Sequence, residues 1–179
     1  MKKVEHGKTF DRNAANPPAF EIFHNTVTEG YPEHWHTAIE IIMPTRGEYE
    51  VVVGKDSYNL KEGDIIMINS GVVHGMRFVS QGERIVMLVE PGCVENQEEM
   101  ETIFLRLPAI YFKKEDEEDP FYLFLRSQIL ELVREYDNEG AVMTHRICTG
   151  LKELFSEFGR KGFSDANAQN TVSYTHLTL

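Results

Sequence analysis

The chain has 179 residues, 41% of them hydrophobic, and a formal net charge of −11. Its length suits one domain with a real core plus an appendage, and no run approaches the roughly 18 apolar residues of a membrane helix. The 18 Lys and Arg residues are scattered, which argues against this chain gripping nucleic acid by itself, since phosphate binding needs clustered cations.

The N-terminus, MKKVEHGKTF, has no apolar signal-peptide region. Cys93 and Cys148 lack metal-type spacing. Both facts fit a reducing cytoplasm, with the two thiols inert and buried. Residues 1–19 read as an arm, whose Asn- and Pro-rich Phe10–Phe20 segment would fold over a barrel mouth. From 20 to 92, short β-branched and aromatic runs alternate with turn signals. The predicted strands are Phe20–Asn25, Tyr31–His36, Ile39–Pro44, Tyr49–Val53, Ser57–Leu60, Ile65–Ile68, Val73–Phe78 and Arg84–Val89. Strands this short and evenly spaced predict an antiparallel β-barrel or jelly roll whose mouth encloses one ligand.

Within these strands, His34, His36 and Glu40 recur at even spacing, and His74 follows a Gly63-Asp64 turn. Imidazoles plus one carboxylate suit a divalent ion such as Zn, Mn, Fe or Ni. On a straight strand His34 and Glu40 would be roughly 20 Å apart, at about 3.3 Å per residue. Convergence therefore requires a turn, and Thr37-Ala38 is the predicted place. The same four residues would equally serve a metal-free polar pocket, with the histidines bonding ligand hydroxyls and Glu40 accepting. Tyr49 and Met76 are further candidate pocket liners, though residues of these types are more often core. Trp35, one residue off the histidine face, reads as a packing or strand-edge aromatic before it reads as a stacking platform for a sugar.

After Pro91-Gly92 the apolar period changes from two to 3.6, so 93–163 is read as helical. Asn96 and Glu99 resemble a capping box for a helix ending before Pro108. Asp119-Pro120 reads as an N-cap and first helical residue, behind a solvated acidic run, Glu115–Asp119. Phe121, Leu125, Ile129, Leu132, Val133 and Tyr136 share one face, and Asp137-Asn138-Glu139-Gly140 closes the helix. A second helix carries Ile147, Leu151, Leu154, Phe155 and Phe158 on one stripe, and the short loop makes the two antiparallel. Tyr122-Leu123-Phe124-Leu125 is apolar all round, which predicts that some of it covers the barrel or faces another subunit. The stretch 164–179 has no periodicity and reads as an irregular, non-native tail.

The two segments, Gly30-YPE-His34-W-His36-TAI-Glu40-IIMPTR-Gly47 and Gly63-DIIMINSGVV-His74, resemble the paired motifs of the cupin superfamily. All four positions that bind metal in metal-dependent cupins are filled. The departures are the short Gly30–His34 spacing, Asn69-Ser70-Gly71 in place of a proline-containing turn, and Phe78 where asparagine is common. A cupin barrel followed by an antiparallel helical pair is similar to the N-terminal sensor domain of AraC-type transcription regulators. That resemblance implies a small-molecule effector such as a sugar, a homodimer through the C-terminal helices, and DNA contact only through a C-terminal domain missing from this chain. It implies no catalysis. The rival expectation is a metal-dependent cupin enzyme, a dioxygenase or a sugar isomerase, with His34, His36, Glu40 and His74 holding the metal.

Overall fold

The computed structural model describes residues 19–27, 29–93, 108–114, 118–138 and 140–161. The expected Asn96 helix, the N-terminal arm and the tail lie outside these residues. All eight expected strands are present, as β1 (Phe20–Val27), β2 (Tyr31–His34), β3 (Ile39–Arg46), β4 (Tyr49–Val53), β5 (Asp56–Leu60), β6 (Ile65–Ile68), β7 (His74–Phe78) and β8 (Gly82–Val89). A strand in the region read as helical, β9 (Ala109–Phe112), pairs with β6. Its four residues are too few to carry a period, which is why the sequence pattern passes over it.

The strands form two antiparallel sheets. One has the order β1-β8-β3-β6-β9, the other β2-β7-β4-β5. They close into a jelly-roll-like barrel, followed by two helices, α1 (Pro120–Asp137) and α2 (Met143–Lys161). Alternation along a strand sends successive side chains to opposite faces, and the larger sheet is apolar on both. Ile42, Val86 and Leu88 point into the barrel with Val51, Val53, Leu60 and Met76 of the smaller sheet. Ile39, Ile41, Met43, Ile85 and Met87 point outward, against Leu125, Ile129, Leu132, Leu151, Leu154 and Phe155 of the helices. The result is three layers and two cores separated by one sheet.

Helix α1 starts as its sequence dictates: the Asp119 carboxylate accepts from the Phe121 amide at 2.9 Å, with Pro120 in the first turn. Of its all-round apolar run, Tyr122 and Leu125 are buried on the barrel, whereas Leu123 stays exposed. The Tyr122 hydroxyl donates to the Gly63 carbonyl at 2.9 Å, tying α1 to the turn before β6. Among the described residues no helix is long and apolar enough to cross a membrane.

The two cysteines meet. Cys93 Sγ, in the short 3-10 turn after β8, lies 3.3 Å from Cys148 Sγ on α2, and both are free thiols. Burial, and then the hydrogen bond with Cys148, pushes the Cys93 thiol up to about 12. Only the thiolate is nucleophilic, so native protein at pH 7.5 should alkylate at Cys93 roughly tenfold or more slowly than unfolded protein. Mass-spectrometric labelling checks this, and equal rates would mean that the pair is open to solvent.

Candidate metal and ligand centre

His34, His36, Glu40 and His74 come from three elements at one end of the barrel. His34 ends β2, directly opposite His74 at the start of β7. Glu40 enters from β3 in the other sheet, and His36 sits on the link between them. That link bends at Thr37-Ala38, where the required turn is expected. Strand β2 approaches β7 closely because Gly30 has no side chain: a Cβ there would lie 2.7 Å from the Met76 carbonyl oxygen.

One potential ligand atom from each of the four residues falls within 4.8 Å of the others. Glu40 Oε2 is 2.9 Å from both His36 Nε2 and His74 Nε2. The His34 and His74 ring centres are 4.4 Å apart. His36, Glu40 and His74 are buried, at 4%, 3% and 1% exposure, so the charges here are shielded from water.

The hydrogen bonds orient each ring. His34 Nδ1 lies 3.0 Å from the Pro32 carbonyl, His36 Nδ1 3.0 Å from that of Ala38, and His74 Nδ1 2.8 Å from that of Val72. A carbonyl only accepts, so Nδ1 carries the proton in all three. In a neutral ring that leaves the Nε2 lone pair facing the cluster. Backbone anchoring of the distal nitrogen is the usual device for fixing a metal-ligating imidazole. Ligands at right angles around an ion about 2.1 Å away would be about 3.0 Å apart, which matches the spacing about Glu40. The donor set fits a divalent ion.

Electrostatics agree with the geometry. Burial pushes the Glu40 carboxyl up, but hydrogen bonds from His36 and His74 and their charge outweigh it and hold the group well below the usual carboxylate range. His74 is lowered by burial and raised more by its bond to Glu40 and that carboxylate's charge. Burial, then the neighbouring His74, lowers His34.

Tyr49 and Met76 are both buried, but they stand further along the interior, off the cluster. On β7 and β4 the paired levels run His74–Val53, Met76–Val51 and Phe78–Tyr49. Trp35, just after β2, is 54% exposed, so it is not the packing aromatic that its place in the sequence suggests, and its exposure fits a strand-edge position. The motif residue Asp64 has a structural task, accepting from the Lys61 and Lys114 amides and the Tyr111 hydroxyl, which fastens the chain around β9 to the turn before β6. One interior residue that pattern reading passes over is Arg84, 5% exposed on β8. Its even position relative to Val86 and Leu88 was the available signal.

Residues 25–90 match the family model of the cupin domain. Several solved structures are similar to all or part of the chain. A cupin-2 domain containing protein from Shewanella frigidimarina is 16% identical over 42% of this chain and 76% of that one, at a TM-score of 0.38. Oxalate decarboxylase from Bacillus subtilis, described with Mn(II) centres, is 16% identical over 40% of this chain and 21% of that one, also at 0.38. Apo ToxT from Vibrio cholerae is 10% identical, yet the likeness covers 90% of this chain and 68% of that one at a TM-score of 0.51. At 10% identity the likeness to ToxT is one of fold. No curated protein sequence matches the chain.

Proposed function

We propose that this chain, with its cupin domain at residues 25–90, is the effector-sensing and dimerisation part of a transcription regulator. The observation that carries this reading is the shared sheet. Strands β3 and β8 present Glu40 and Arg84 to the barrel interior, while their alternate residues, Ile41, Met43, Ile85 and Met87, pack on the helices. A ligand that shifts these strands on one face necessarily shifts the helix contacts on the other, because packed cores are not continuously deformable. The ligand alters the helical arrangement only as far as it prefers one packing to another. ToxT, an AraC-type regulator, supports the reading by sharing the fold over barrel and helices together.

A divalent ion held by His34, His36, Glu40 and His74 would supply a Lewis-acidic contact for an oxygen-bearing ligand. The chain's own residues orient that contact, and the burial of His36, Glu40 and His74 limits water around it. The four-residue cluster would leave coordination positions open, which favours a metal-dependent enzyme as the second reading. Screening sugars and small organic acids for thermal stabilisation, then following hydrogen exchange with a stabilising compound, separates the two. A sensor binds stoichiometrically, without turnover, and changes protection in α1 and α2. Turnover, or protection changes confined to the barrel, would overturn the sensor reading.

Self-association is expected through the outward side of the helical pair, where Leu123 is 48% exposed. Most of the Phe121–Phe158 apolar surface is already buried within one chain, so the dimer should be modest and concentration-dependent. Sedimentation at high micromolar concentration should show a dimer, and a single monomer boundary would remove this part of the proposal.

A further inference from the structure

The barrel interior holds a cation that the histidine cluster does not use. Arg84 is 5% exposed, and its Nη1 donates to Met76 Sδ at 2.7 Å. Its guanidinium carbon lies 5.2 Å from the centre of the Tyr49 ring. A thioether and a ring face are weak partners for a full positive charge. Among the described residues, the Arg84 Nε and the Tyr49 hydroxyl, both buried, have no hydrogen-bond partner. Among the described residues the carboxylate whose charge acts on Arg84 is that of Glu40, and the Glu40 Oε2 is already bonded by His36 and His74. Guanidinium stays protonated in proteins, so burial cannot neutralise it, and a buried charge without its counter-ion is strongly destabilising.

Position suggests what completes it. Glu40 pairs with Leu88, and Arg84 stands four residues before Leu88 on the same face of β8. At about 3.3 Å per residue the two levels are roughly 13 Å apart. The arginine side chain closes part of that gap, because it reaches Met76, one interior level from His74. A planar fork of N–H donors matches a carboxylate better than it matches any neutral group. A neutral sugar would leave the charge unmatched.

We infer that Arg84 recognises the carboxylate of a small organic acid bound inside the barrel, with the acid's other end against the His34–His36–Glu40–His74 cluster. This names the ligand class of the site just described, and so rests on the sensor reading of that interior. Tyr49 is the second contact, its buried hydroxyl supplying the donor that the carboxylate's remaining oxygen accepts. Gly82 leaves room for that hydroxyl, since a Cβ there would lie 2.7 Å from it.

The test is calorimetric titration of the full chain with acetate, lactate and succinate, and with acetamide, lactamide and succinamide as neutral counterparts. Acids should bind and the amides should not. Replacing Arg84→Met removes the charge and keeps an apolar stem. It should weaken acid binding by about 10- to 100-fold, the worth of a charge-assisted bond, and leave metal content and the unliganded thermal midpoint undiminished. Arg84→Lys should recover part of the affinity. If Arg84→Met does not fold, Arg84→Gln is read by the same criteria. Equal binding of acids and amides, or wild-type acid affinity in Arg84→Met, would overturn the inference. So would a large loss of unliganded stability in both neutral variants, which would make Arg84 a structural residue. Binding of arabinose or glucose but of no acid sinks the Arg84 assignment and leaves the sensor reading intact. Binding of none of these compounds sinks both.

Discussion

Protein purified without a chelator or an affinity tag is expected to carry close to one equivalent of divalent metal, and the His74→Ala variant to carry almost none. His74 supplies one of the Nε2 atoms facing Glu40 Oε2 and is 1% exposed. Its loss leaves a buried carboxylate short of a partner as well as removing a ligand. Altering even the outer partners of a metal ligand typically costs 10- to 100-fold in affinity, so deleting a ligand should cost roughly 100-fold or more. Elemental analysis of both proteins decides the matter. Metal retained by a His36→Ala/His74→Ala double variant would end the assignment.

The same site predicts opposite pH trends for the two forms. With metal, protons compete for the imidazoles, so affinity should fall steeply below about pH 6.5, and metal retained at pH 5 would also end the assignment. Without metal, Glu40 is held below its ordinary value of 4.5, so its contribution is present above that pH and lost on further acidification. His74 is raised above 6.5, so its contribution is present below 6.5 and lost as pH rises through its folded value. The Glu40–His74 pair therefore stabilises the metal-free protein most between 4.5 and 6.5. His34, lowered by burial, opposes part of this gain. From pH 8 to pH 6 the thermal midpoint should rise slightly for chelated protein and fall for metal-loaded protein. Parallel curves would mean that the cluster is not where the metal sits.

The second large effect is on stability. Phe158→Ala should cost about 3–5 kcal/mol, measured by denaturant unfolding. Phe158 is fully buried, edge-on to Phe121 at 5.0 Å and close to Phe112 at 6.0 Å. It thereby joins α2, α1 and β9. Metal content should not change, because the cavity lies in the outer core. A cost under about 1 kcal/mol would show that the helical pair is not integral to the fold.

The barrel was legible from the sequence because its strands are short, β-branched and separated by Gly-containing turns. The residues of the His34–His36–Glu40–His74 cluster could be named together because both motifs, Gly30 to Gly47 and Gly63 to His74, are intact in the sequence, and a turn between His36 and Glu40 is what their convergence requires. The partnership across the barrel was not legible in the same way. Nothing local says that His74 stands opposite His34, or that Arg84 enters the interior beside Met76 and Tyr49, since register between distant strands is a tertiary property. Strand β9 escaped for the same reason: its pairing with β6 is nonlocal and its four residues are too few for a pattern.

The backbone anchors of the three histidines bear on how the site assembles. Each Nδ1 is tied to a carbonyl two residues away, so ring orientation is decided by local chain geometry and needs no ion to template it. The ion should therefore enter a finished socket. Apo protein would fold at its ordinary rate, and uptake would be a single bimolecular phase that scales with ion concentration, with no slow rearrangement trailing behind it.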